Sequence, residues 1–339
     1  MEMKAIRFIL LGGLFLLALA GCQKMEKLGG QEVRFKASSA STKAEYESPE
    51  SGQIFWTEGD QIIIWSDNAV QRYNSAGQEF GTDKYGIYDL VDIEGKNASL
   101  ANHRPNELVY PDASLTYNFW AAYPAAKFPT APTGASAQYI IEANQEGESI
   151  DEDGVIPADM SQAYMFASAS GKASNDAITL NFEAGFTTFE VTLVGSPDLA
   201  DDAELGLETL EMRSTAGLAG SVTATFGSDG ISFAPTSTLS SLTYTFPNGA
   251  VISKTKSLSF TVIAAPVDVE NLEMVFTLTG DTTNTASNFT ENGNPITFKA
   301  GTKNRLLGMA MSDGSFWFKA STAAASYDGE ESPDLKVGN

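Results

Sequence analysis

Apolar and polar residues alternate with a period of two along most of this chain. In "AITLNFEA" Ile178, Leu180 and Phe182 share one face, while Thr179, Asn181 and Glu183 share the other. Phe189, Val191 and Leu193 alternate with Glu190 and Thr192, and Leu258, Phe260 and Val262 repeat the pattern. Leu272, Met274, Phe276 and Leu278 do the same in "LEMVFTL". Each stretch predicts a half-buried strand, with one face on a core and one towards water. Turn residues punctuate them. Asn248-Gly249 between "LTYTF" and "VIS" predicts a two-residue hairpin, and "GSDG" (227–230) separates "SVTATF" from "ISFA". No segment sustains a helical period, so the chain reads as all-β, built from two tandem β-sandwiches. One stretch breaks the alternation. In "IFWTEGDQIIIW" (54–65) Ile62, Ile63, Ile64 and Trp65 put apolar side chains on both faces. That predicts a strand covered on both sides, with Glu58-Gly59-Asp60 as the turn before it and Trp56 and Trp65 mostly buried.

The two ends follow other rules. Lys4 and Arg7 precede a charge-free apolar run from Phe8 to Leu19, too short to be a stop-transfer helix, which reads as a secretory signal over 1–21. Leu19-Ala20-Gly21-Cys22 looks like the lipobox of bacterial lipoproteins, which implies cleavage before Cys22 and lipid on its sulfur. Residues 22–31 then form a tether, 32–197 an N-terminal sandwich and 203–318 a C-terminal one. The boundary is expected within Ser196–Gly206, where a proline and the acids Asp198, Asp201, Asp202 and Glu204 leave little to bury. Residues 319–339, which include "SYDGEESPDLKVGN", are too polar to pack alone and read as a flexible tail.

Composition narrows the chemistry. Against 21 Lys and Arg stand 43 Asp and Glu, a formal charge of −22, and removing 1–21 leaves −23. Such a surface repels phosphate backbones and disfavours nucleic-acid binding. Cys22 is the only cysteine and His103 the only histidine, the latter in the polar turn-like "ANHRPNE". Ser-His-Asp, Cys-His and multi-histidine metal chemistry therefore lack their parts, and no cofactor, metal or enzymatic role is expected. Glu146, Glu148, Asp151, Glu152 and Asp153 crowd one Gly-bracketed loop, where acid runs are usually solvated. Glycoside hydrolysis would need two acids in unlike environments, and the spacing is not that of an EF-hand. "YNFWAAYPAA" offers Tyr117, Phe119, Trp120 and Tyr123 as core or as a glycan platform, with core favoured for an apolar strand. Finally, "VRFKAS" (33–38) is echoed by "FWFKAS" (316–321) at the other end of the chain.

Several of these stretches together resemble the fimbrillin-like lipoproteins of the Bacteroidota. They are Phe35-Lys36-Ala37, Trp56-x-x-Gly59-Asp60-x-Ile62, Trp120-Ala121-Ala122-Tyr123-Pro124, "DMSQAYMFASAS" (159–170), "LNFEAGFTTFEVTL" (180–193) and "FKAGTKNRLLGMAM" (298–311). The family's usual histidine is Ala184 here, and its closing tyrosine is Leu306. The resemblance implies two transthyretin-like sandwiches and a structural subunit of a cell-surface fimbria. Its partners would be other fimbrial subunits, and the outer membrane through lipid on Cys22. It also implies assembly by strand exchange. A protease removes the first strand, here Glu32 to Ser38, in the loop holding Lys43, and a strand around Phe316, Trp317 and Phe318 of another subunit fills the groove. Two other readings remain open at this point: an uncleaved surface lipoprotein that anchors a fimbria, and a glycan-binding lipoprotein using the Trp120 strand.

Overall fold

The computed structural model describes residues 30–39, 45–46, 54–72, 81–102, 107–280, 282–287, 289–291 and 294–320. Cys22, Lys43, His103 and the segment after Ala320 lie outside the described residues.

The first unit is built from strands β1 (Phe35–Ser39), β2 (Gln61–Ser66), β3 (Tyr85–Glu94), β4 (Asn97–Asn102) and β5 (Thr116–Tyr123). Two later strands join them once the chain has visited the second unit. In that excursion β6 (Ser136–Ile141) and β7 (Asn144–Glu146) pair with strands of the second unit. The chain then returns as β8 (Met165–Lys172) and β9 (Ile178–Ala184). The seven strands of the first unit bond in the order β5-β8-β9-β1-β4-β3-β2, and β2 closes on β5. The all-β class is as expected, but here the sheets are joined into a closed barrel. The reason is β5, which pairs along its length with β8 and, over Phe119–Ala122, with β2, so no edge is left between them.

The second unit contains β10 (Thr187–Gly195), β11 (Glu204–Arg213), β12 (Ala219–Gly227), β13 (Gly230–Leu239) and β14 (Ser241–Thr245). It continues with β15 (Leu258–Ala264), β16 (Glu273–Leu278), β17 (Thr282–Ser287), β18 (Lys303–Ala310) and β19 (Phe316–Ala320). One sheet runs β7-β14-β11-β16-β17, a second β15-β10-β18-β19, and a third, β6-β12-β13, lies against the barrel. The chain passes for the last time from the barrel to the second unit at Gly185-Phe186, between β9 and β10, ahead of the boundary expected within Ser196–Gly206. That acidic stretch is a connection inside the second unit. Its backbone is tied down by Ser196 N–H to Ala310 O (2.8 Å), Leu199 is buried, and Glu204–Gly206 already belong to β11.

Two turn expectations divide. Ser228-Asp229 joins β12 to β13 as a hairpin closed at Gly227 and Gly230. Asn248-Gly249 does turn the chain, with Gly249 at φ +88°, but the strands it joins do not pair with each other. β14 and Val251–Ser253 instead pair with successive parts of β11.

Candidate functional site

The candidate site is the seat of the first strand. From Gly30 onward the chain is bonded on the barrel. Gln31 and Glu32 pair with Tyr110 and Val109, and Val33 N–H donates to Leu108 O (3.0 Å). β1 then lies parallel to β9, with Phe35 opposite Ile178 and Ala37 opposite Leu180. On its other side it is antiparallel to β4, with Ala37 opposite Ala98. Val33, Phe35 and Ala37 are buried while Arg34 and Lys36 are exposed, the outcome of period-two alternation on a barrel wall. Phe35 meets Tyr88 and Phe119 edge to face at 5.4 and 5.1 Å. The segment thus fills a slot one strand wide, lined by two backbone ladders and an aromatic floor.

The proposed donor lies at the far end of the chain. Among the described residues, β19 is an edge strand of its sheet, bonded only to β18. Phe316 and Phe318 are half-buried and stack on Phe276 at 4.5 and 5.8 Å, and Phe318 sits 5.7 Å from Phe289. The ring of Phe318 lies over Gly308, where a Cβ would come within 2.6 Å of it. Trp317 points the other way and is 69% exposed. At the opposite edge of this sheet, β15 is shielded by the acidic loop. Asp151 accepts hydrogen bonds from Asp153 and Val155 N–H, and Ile156 N–H donates to Ser259 O. The loop's acid residue thus does structural work, and β19 has no such shield among the described residues.

The aromatic stretches that offered a glycan platform are core. Tyr117 and Phe119 are fully buried, and Trp120 is 9% exposed. Trp120 lies beside its register partner Trp65 at 6.4 Å, and both are covered by Phe226 of β12. Trp56, 3% exposed, packs edge to face on Tyr123 and Phe182. Asp60 closes the turn expected before β2. Its carboxylate accepts Thr57 N–H (2.9 Å) and Tyr123 Oη–H (2.9 Å), with Gly59 at φ +96°. Burial, then the Asp60 charge, pushes the Tyr123 phenol well above its usual range.

Two charged groups among the described residues, Glu107 and Lys303, are buried without having been anticipated. Lys303 on β18 is 2% exposed, and its amine is pulled down to about 8, by burial first, with Arg305 and Lys96 adding to it and Glu190 opposing. Arg305 Nε–H donates to Glu190 Oε2 at 3.0 Å. Between pH 8 and the usual lysine value the folded chain holds fewer protons than the unfolded one, so Lys303 makes stability rise with pH there. The full span amounts to about 3 kcal/mol. Above pH 10 tyrosines such as Tyr110 and Tyr164, both raised to about 12, act in the opposite sense. Lys303→Met is expected to flatten the rise in urea-unfolding free energy between pH 8 and 10, and an unchanged slope would refute this assignment.

The chain matches no protein-family model and no curated relative. Solved structures do match. A candidate cell adhesion protein of Bacteroides uniformis aligns with 86% of this chain and 98% of its own, at 16% identity and a TM-score of 0.54. A second, from Bacteroides ovatus, covers 86% and 96% at 12% identity and a TM-score of 0.52. The chain shares their fold. A fimbrial protein of Bacteroides vulgatus aligns over 85% and 98% at 11% identity, but its TM-score of 0.35 is too low to bear on the architecture.

Proposed function

We propose that this chain is a structural subunit of a bacterial cell-surface fimbria. It is exported as a lipoprotein on Cys22, trimmed near Lys43, and assembled by strand exchange. The observation that carries this reading is the position of β1. It is the first strand of a closed barrel, it is bonded on both sides, and it ends four residues before Lys43. Cutting the chain at Lys43 converts a tethered strand into a separate ligand and removes the effective concentration that held it. Once it leaves, β4 and β9 present unpaired ladders, the kind of edge that strand addition completes. The Bacteroides neighbours, described as cell adhesion proteins, support a surface role. Burial of Trp120 takes the platform away from the glycan-binding alternative.

The test is direct. The chain without residues 1–21 is cut at Lys43 by a lysine-specific protease and followed by sedimentation velocity. The uncut chain is expected to stay monomeric and the cut chain to form a ladder of oligomers. Cut protein that remains strictly monomeric would sink the assembly mechanism. Mass spectrometry of protein from cell surfaces is expected to find a new N-terminus at Ala44, whereas acylated Cys22 on assembled protein would favour an anchor.

A further inference from the structure

We propose that the outer face of the β6-β12-β13 sheet is a lateral contact surface, and that its occupant is the same face of a second copy of this chain. As a contact between polymers this rests on the fimbrial reading above; as a contact between two copies it rests on the sheet alone. The inner face of the sheet packs on the barrel through Tyr139, Phe226 and Phe233, which meet Phe166 at 4.9, 6.3 and 5.7 Å. Alternation turns the intervening residues outward. Register sets Gln138, Thr223 and Ala234 in one row, and Ile140 beside Ser221 in the next. Leu239 lies two residues beyond Ser237, the partner of Ser221 on β13. Ile140 and Leu239 are 50% and 49% exposed, two of the four large apolar side chains that stand in solvent among the described residues.

Charge selects the occupant. With 43 acidic against 21 basic residues, two copies of this chain repel each other wherever their charged surfaces meet. β6, β12 and β13 contain no charged residue, and the only one from Ser214 to Ser253 is Asp229, in the hairpin turn at one end of the sheet. Two copies can therefore meet here without setting like charges against each other, and Ile140 and Leu239 gain cover. A basic partner would find no acid to pair with on these strands, and a glycan would find no aromatic ring at the outward positions. The copies meet by faces and not by edges. Pro235 lacks an N–H and a bulge shifts the register between Ser221 and Val222, so β13 offers no unbroken ladder to a neighbouring strand. Three strands abreast, six residues long at β6, present about 300 Å² per copy, well short of the roughly 800 Å² per partner of a stable complex. Single subunits thus stay monomeric in dilute solution. Repeated along a polymer, each contact raises the local concentration for the next, and two polymers pair side by side. The pairing strengthens with salt, because screening relieves the repulsion between the remaining surfaces while the contact itself holds no ion pair to lose.

The experiment has one arm that needs no polymer. The uncut chain without residues 1–21, carrying Cys22→Ser and Thr223→Cys, is treated at high concentration with a short bismaleimide. Ser312→Cys, in the exposed turn between β18 and β19, is the control, and each rate is normalised to that thiol's reaction with N-ethylmaleimide. Cross-linked dimer is expected to form at least tenfold faster through position 223 than through 312. Adding Ile140→Asp and Leu239→Asp is expected to bring the rate at 223 down to the control while the variant melts like its parent. Equal rates at 223 and 312 would overturn the contact, whether or not the chain polymerises. In the second arm the chain is cut at Lys43 and viewed by negative-stain electron microscopy. Side-by-side pairs are expected to increase between 50 and 500 mM NaCl, and the Ile140→Asp, Leu239→Asp chain is expected to grow to the same length as single filaments. Parent filaments that stay single, or variant filaments that pair like the parent, would overturn the lateral role while the fimbrial reading stands. A cut chain that does not grow at all would overturn the fimbrial reading and the pairing of polymers with it, and leave the cross-linking arm to decide the contact between copies.

Discussion

Replacing Trp65 with alanine is expected to lower the unfolding free energy by about 3–5 kcal/mol, while the same change at Trp317 leaves it within about 0.5 kcal/mol. Trp65 is 1% exposed, and its ring is 5.5 Å from Phe226 and 6.4 Å from Trp120. Its Nε1–H donates to Gly134 O at 2.8 Å. Phe226 belongs to the second unit and Trp65 to the barrel, so truncation opens a void at the seam between them and strips a carbonyl of its donor. Trp317 makes its packing contribution through its neighbours, and its own ring is mostly in water. Urea unfolding at neutral pH separates the two cases. A Trp65→Ala variant within 1 kcal/mol of its parent would mean that the barrel and the β6-β12-β13 sheet do not share a core.

The same residue illustrates what the sequence could and could not disclose. Apolar side chains at Ile62, Ile63, Ile64 and Trp65 predicted a strand covered on both faces, and all four are buried. The cover itself was invisible, because it comes from Phe226, far along the chain, and no local pattern encodes a distant partner. Periodicity has the same limit at the domain boundary. Ile178–Phe182 and Phe189–Leu193 show one alternation pattern, yet the first belongs to the barrel and the second to the other unit's sheet. Alternation reports that one face is buried, not which sheet buries it. The acidic Ser196–Gly206 stretch drew the boundary because charge marks solvent exposure, and a surface loop within a domain is as exposed as a linker. Asn248-Gly249 specified a turn correctly, but pairing was decided by β11, which receives both flanking strands. At the candidate site the inward phase of Val33, Phe35, Phe316 and Phe318 was legible, as was the echo between the two ends. The slot between β4 and β9 was not, since those strands meet only through β1.

Phe276→Ala is expected to cost about 3–5 kcal/mol and, in addition, to loosen one strand selectively. Phe276 is fully buried on β16 and lies under both Phe316 and Phe318, the two side chains that hold β19 to its own sandwich. Since among the described residues β19 has a ladder on one side only, those stacked rings are its main tie there beyond β18. Removing their partner should raise amide hydrogen exchange across Phe316–Ala320 well above that of β10 in the same sheet. Phe260→Ala supplies the control. Phe260 is buried near the other end of the same sandwich, 5.3 Å from Tyr244 and 4.9 Å from Phe246, and touches neither Phe316 nor Phe318 in any ring contact described. It should cost a similar amount without singling out β19. If β19 is the strand that leaves to fill a neighbouring groove, its release limits growth. The Phe276→Ala chain, once cut, should then extend faster than its parent, and the Phe260→Ala chain should not. Equal exchange across β19 in the two variants would show that the Phe276 stack does not hold the strand. Faster exchange without faster growth would show that release is not the limiting step.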